Sequence, residues 1–68
     1  MLSEERKQAI QRDAASRAVT LSDDSLRHET VRLTLEENDC PPGDKQEELR
    51  IRSWAYAFEM GKRKLPEE

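Results

Sequence analysis

The chain has 68 residues, of which 34% are apolar and 40% are charged, and its net charge is −3 at pH 7. This length excludes a large substrate-enclosing fold, and the acidic balance gives the chain as a whole no attraction for nucleic acid. No apolar run is long enough to span a bilayer and the first residues are acidic, so we expect a cytoplasmic protein with no membrane contact.

The first predicted element is a helix over residues 3–18. Ser3 is placed to cap its N-terminus, and acidic residues follow in the first turn, where the helix dipole favours them. The apolar stripe of this segment consists only of Ile10, Ala14 and Ala18. We therefore expect this helix to be held only weakly by tertiary packing.

The second predicted element is a helix over residues 22–37. Ser22 precedes two aspartates, which is typical of a helix N-terminus. The stretch Thr30–Glu36 competes with this interpretation, because apolar and polar residues alternate there as they do in a half-buried strand. We retain the helix, because a strand needs a pairing partner and the remaining segment is more helical.

The third predicted element is a helix over residues 44–61, which follows a Pro-Pro-Gly stretch that no regular element crosses. Asp44 and Glu47 have the spacing of a capping box, and Gly61, followed by three basic residues, is predicted to end the helix. The tail, residues 65–68, is expected to fray.

These elements predict an all-α protein with one domain, residues 1–68, built as a small bundle of two to three short helices. A chain this short buries a limited share of its apolar side chains by itself. The one cysteine, Cys40, allows no internal disulfide to compensate for the small core. We therefore expect dimerisation to complete the bundle.

The last predicted helix carries two apolar stripes on opposite sides of its helical wheel. One stripe consists of Ile51, Trp54, Ala55 and Phe58, and the other consists of Leu49, Tyr56 and Met60. The second segment repeats this arrangement, with Leu26 and Leu33 on one side and Val31 and Leu35 opposite them. One face of each helix is thus available for the core and the other for a partner.

We assign the Trp54 stripe to the core, although the two faces are interchangeable on the wheel alone. The predicted partner-binding residues are then Leu49, Tyr56, Met60, Val31 and Leu35, with Arg52, Glu59 and Arg63 as a polar rim that orients the partner. The alternative interpretation is accidental placement, since single exposed apolar residues are common on protein surfaces.

The sequence contains no complete catalytic or cofactor-binding motif. His28 begins a run resembling H-E-x-x-H, but Arg32 stands where the second zinc-binding histidine is required. The two glycines, Gly43 and Gly61, are isolated and form no phosphate-binding loop. We predict no enzyme activity, no catalytic residue, no metal site and no cofactor.

The sequence therefore predicts a non-enzymatic module that binds another protein, as a homodimer and as a regulator, adaptor or inhibitor that masks a surface of a larger target. The alternative is a small DNA-binding regulator resembling a helix-turn-helix protein. The short junction near Thr20 and the basic cluster Lys62–Lys64 favour that alternative, whereas the acidic start of the second helix opposes it.

Overall fold

The computed structural model describes residues 1–65, which form three helices: α1 (Glu4–Thr20), α2 (Asp23–Asp39) and α3 (Asp44–Lys62). No strand occurs within these residues, and the alternating stretch Thr30–Glu36 lies inside α2. The predicted all-α class is confirmed. Completion of the bundle by dimerisation stays a prediction.

Serine side chains cap the first two helices, as their positions in the sequence indicate. The Ser3 hydroxyl accepts a hydrogen bond from the backbone N–H of Arg6 at 3.1 Å, and the Ser22 hydroxyl accepts one from Ser25 at 3.2 Å. Each bond satisfies an N–H that has no partner within its helix. Because only two residues separate α1 from α2, the Ser22 cap also fixes where the chain turns between them.

The predicted capping box of α3 is wrong. The N-cap residue is Gly43, which makes no side-chain cap and has φ 152° and ψ −168°. The Glu47 carboxylate instead accepts a hydrogen bond from the backbone N–H of Leu2 at 3.2 Å, and Asp44 pairs with the N-terminal ammonium of Met1 at 2.8 Å. These two acidic side chains thus tie the start of the chain to the start of α3.

The end of α3 also differs from the prediction. Gly61 lies inside the helix, which continues to Lys62 with Arg63 as its C-cap residue. Leu65, expected to belong to a frayed tail, is partly buried and packs against the core. The rest of the predicted tail, residues 66–68, lies outside the described residues.

Helix α3 packs against both other helices, whereas α1 and α2 make few contacts with each other. An ion pair and a hydrogen bond show that α1 and α3 run in the same direction. Lys7 pairs with Glu47 near the start of both helices at 3.8 Å, and Arg63 donates to the carbonyl of Ala18 at the end of α1 at 3.1 Å. The tertiary structure is therefore organised around α3.

The core is formed by one stripe from each helix. Its apolar members are Ile10, Ala14, Ala18, Leu26, Leu33, Leu49, Tyr56 and Met60. The predicted buried stripe of α1 is confirmed in full. On α2 the side with Leu26 and Leu33 faces the core, which leaves the side with Val31 and Leu35 exposed.

Candidate functional site

Our assignment of the two apolar stripes of α3 is wrong, because the stripe predicted to be buried is exposed and the other is buried. Trp54 and Phe58, assigned to the core, are 67% and 69% exposed. Leu49, Tyr56 and Met60, assigned to a partner, are buried in the core of the chain itself. These three side chains are not available to a partner while the chain is folded.

The polar neighbours of the buried stripe explain this exchange. Ser53, in the middle of the stripe, donates its hydroxyl to the carbonyl of Arg50 at 3.0 Å and is therefore buried with its hydrogen bond satisfied. Arg50 reaches across to α2 and pairs with Glu37 at 3.1 Å. On the other side, the small side chains of Ala14 and Ala18 are fully buried and let α1 approach α3 closely.

Arg52 was predicted to belong to a rim around the partner, but its side chain bridges α3 and α1. Its guanidinium pairs with Asp13 at 2.8 Å and with Glu48 of its own helix at 3.2 Å. The hydrogen bond from Arg52 lowers the pKa of Asp13 below its ordinary value. Arg52 therefore orients α1 on α3.

Arg63, also predicted to lie in the rim, closes the junction between α1 and α2. Its guanidinium donates to the carbonyls of Ala18 at 3.1 Å and Leu21 at 2.8 Å, and it pairs with Asp23 at 3.0 Å. Glu59, the remaining predicted rim residue, holds the same guanidinium at 2.9 Å. The Ala18 carbonyl also accepts a hydrogen bond from the backbone N–H of Leu21 at 3.2 Å, and the guanidinium beside it complements the dipole at the C-terminus of α1.

The exposed apolar side chains converge on the side of α3 that carries Trp54. Among residues 1–65, six large hydrophobic side chains are exposed, and every one except Met1 lines one of two grooves beside Trp54. We call this region the Trp54 surface, and its large apolar members are Val19, Val31, Leu35, Trp54 and Phe58. Val31 and Leu35, which we predicted to face a partner, lie on it.

The first groove of the Trp54 surface runs between α1 and α3 and has a volume of about 590 Å³. Its apolar lining consists of Ala15, Val19, Ile51, Trp54, Ala55 and Phe58. Charged residues stand at its two ends, with Glu4 and Lys7 near the start of the helices and Glu59 and Lys62 near their C-termini. Gln8 and Gln11 of α1 complete the lining, so the groove is mainly apolar on its α3 side, mixed on its α1 side and charged at its ends.

The second groove runs between α2 and α3 and has a volume of about 370 Å³. Val31 and Leu35 line it from α2, and Ala57 lines it from α3. Trp54 lines both grooves, so its ring stands on a ridge between them. A protein that covers the Trp54 surface would contact this indole at its centre.

The structure offers few groups for other chemistry. Within residues 1–65, no group of three or more His, Cys, Asp or Glu side chains is arranged to hold a metal ion. His28 is exposed on α2, and Cys40 is a half-buried free thiol at the end of that helix. None of the helices in this part of the chain has the length and apolar character needed to cross a membrane.

No protein-family model, curated protein or solved structure matches this chain.

Proposed function

We propose that this chain is a non-enzymatic protein-binding module that contacts another protein through the Trp54 surface. The observation that carries the proposal is the convergence of its exposed large apolar side chains on two adjoining grooves. Exposed apolar residues that arise by chance are scattered singly. Their grouping on one side of the molecule favours a binding role over accidental placement.

The size of the patch supports the same proposal. An aromatic ring covers about 150–250 Å², so two rings that are two-thirds exposed offer about 300 Å² of apolar surface. With Val19, Val31 and Leu35, the Trp54 surface presents on the order of 500 Å², a patch size that is often functional even on monomeric proteins. Trp is also among the residues that contribute most binding energy when a partner covers them.

The surrounding chemistry favours a role as a regulator, adaptor or inhibitor that masks an apolar surface of a larger target. The chain is small and acidic, and charged side chains border the patch, with the Lys62 ammonium over the ring of Phe58. Such a patch contributes affinity by excluding water, while the charges at its ends orient the partner.

The DNA-binding alternative receives less support from the same contacts. Arg50, Arg52 and Arg63 each pair with a carboxylate, which reduces the positive charge that they offer to phosphates. The first turn of α2, the helix that a helix-turn-helix interpretation places in the major groove, contains Asp23 and Asp24.

The test compares the wild-type chain with Trp54→Gln and with the control Ala9→Gln. Ala9 is exposed on α1 and does not line either groove, so the control adds the same amide away from the Trp54 surface. Proteins captured from the source cells are purified and titrated with each variant by calorimetry. We expect Trp54→Gln to weaken binding by at least about tenfold and Ala9→Gln to leave it unchanged.

Circular dichroism establishes that both variants keep their helices. Equal affinity of the folded Trp54→Gln variant and the wild type for every captured protein would refute the proposed surface.

A further inference from the structure

We propose that the occupant of the Trp54 surface is a second copy of this chain, docked antiparallel across a two-fold axis near Ala55. This inference rests on the proposed function, because it names the partner of the same surface. Three features carry it: the shape of the surface, the order of residues along α3, and the charges at the two ends of the α1/α3 groove.

The shape of the Trp54 surface is complementary to itself. The ridge formed by Trp54 and Phe58 lies directly beside the groove between α1 and α3. A two-fold rotation places the ridge of each copy in the groove of the other, so both copies bury their exposed rings in the same way. Helices pack by setting ridges into grooves, and a two-fold interface uses one patch twice.

The residues of α3 suit an antiparallel crossing at Ala55. Ile51 lies four residues before Ala55, and Phe58 lies three residues after it. When two α3 helices cross in opposite directions there, Ile51 of each copy faces Phe58 of the other. The small side chain at position 55 lets the two helix backbones approach at the axis, where a larger side chain would hold them apart.

The charges at the ends of the groove favour the antiparallel direction. Glu4 stands at one end with its side chain 84% exposed, and Lys62 is exposed at the other, with its ammonium 5.2 Å from the centre of the Phe58 ring. Lys7, at the first end, lies 4.0 Å from Glu4 and 3.8 Å from Glu47, so its single ammonium is shared between two carboxylates, whereas Glu59, at the second end, pairs with Arg63 at 2.9 Å. In an antiparallel dimer, Lys62 of each copy lies beside Glu4 of the other copy, which gives two attractive contacts. In a parallel dimer, Glu4 would lie beside Glu4 and Lys62 beside Lys62.

The available area lies at the threshold for a specific pair. About 500 Å² of apolar surface on each copy, with Val31 and Leu35 of the second groove included, amounts to about 1,000 Å² in the complex, which is the least that a specific interface requires. The exposed rings of Trp54 and Phe58 form its centre, where truncation has the largest effect.

The first test is sedimentation equilibrium of the full chain at micromolar concentration. We expect the wild type and Ala9→Gln to be dimeric. Trp54→Gln is expected to weaken the dimer by about 100-fold or more, since the side chain is removed from both copies. Trp54 is mostly exposed, so the variant keeps its helices by circular dichroism. A dimer that forms equally well with Trp54→Gln overturns the proposal.

The second test uses the two end charges and reports the direction of docking. Glu4→Lys and Lys62→Glu each place like charges at both contacts of their own dimer, and we expect each dimer to be weaker by about fivefold to tenfold. When the two variants are mixed, every contact regains opposite charges. Native mass spectrometry should then show heterodimers well above the statistical share, and high salt should remove this excess. A statistical mixture at low salt overturns the antiparallel arrangement.

The failure of this inference is distinguishable from failure of the proposed function. A wild-type chain that stays monomeric throughout the concentration series overturns the dimer. If Trp54→Gln nevertheless loses affinity for a captured protein, the Trp54 surface keeps its binding role with a different partner.

Discussion

Single alanine substitutions at Tyr56 and at Trp54 test which side of α3 lies in the core. The two residues are neighbours on one helix, and both substitutions replace an aromatic ring by the same small side chain. Tyr56 is 8% exposed, whereas Trp54 is 67% exposed. The structure therefore predicts that Tyr56→Ala destabilises the fold far more than Trp54→Ala does.

The expected difference follows from the area that each ring removes from water. With about 150–250 Å² per aromatic side chain, Tyr56 buries about 180 Å² and Trp54 about 80 Å². At about 25 cal/mol per Å², and with allowance for the area already buried in the unfolded chain, Tyr56→Ala costs about 3–4 kcal/mol and Trp54→Ala about 1.5 kcal/mol. A domain of this length has a total stability of about 3–10 kcal/mol, so Tyr56→Ala removes a large part of it.

The assay is urea unfolding followed by circular dichroism, repeated at two protein concentrations so that any contribution from association is separated from the stability of the single chain. Tyr56→Phe is the milder variant, because it keeps the ring in the core and is expected to cost less than about 1 kcal/mol. Each kcal/mol corresponds to a shift of about 4–8 °C in the thermal midpoint for a domain of this size.

The reasoning is refuted if Trp54→Ala lowers the free energy of unfolding as much as Tyr56→Ala at the lower protein concentration. That result would place the Trp54 ring in the core, as the sequence alone first suggested.

Two further predictions concern the backbone and the effect of pH. Gly43→Ala should destabilise the fold by about 1–3 kcal/mol, because φ at that position is 152°. Gly61→Ala inside α3 should stabilise it by about 0.5–1 kcal/mol, because alanine has the higher helix propensity and its methyl group meets nothing within 4 Å. Urea unfolding of both variants checks the opposite signs. Arg52 depresses the pKa of Asp13 in the folded chain, so this contribution to stability is complete above the ordinary value of 3.8 and is lost as the pH falls through the lower folded value. Asp13→Asn should therefore flatten the acid limb of the stability profile, and a profile as steep as that of the wild type would contradict this assignment.

The structure's contribution is clearest at the rim that we predicted around a partner. Arg52 lies in α3 and Arg63 is the C-cap residue of that helix. From the sequence, we predicted that both charges contact another protein. Their actual partners are Asp13 and the carbonyl of Leu21, which lie 39 and 42 residues away along the chain. No local pattern reports such a pairing, because it exists only once α1 and α3 have packed side by side.

What the sequence determined by itself is the set of helices and the buried face of α1. Ser3 and Ser22 cap their helices through neighbours three residues away, and α1 carries a single apolar stripe with no rival. These features depend on local hydrogen bonds and on helical periodicity, both of which are visible in a short stretch of chain.

Tertiary structure alone decided which stripe of α3 is buried. On the helical wheel, the Trp54 side and the Tyr56 side are both apolar. The larger ring of Trp54 favours burial of the Trp54 side, but the structure buries the Tyr56 side. The Tyr56 side is buried because the fully buried Ala18 leaves room for α3 and because the charges beside this stripe, such as Arg50, find partners on the neighbouring helices. Close packing and long-range ion pairs thus place Trp54 on the surface, where it defines the proposed binding site.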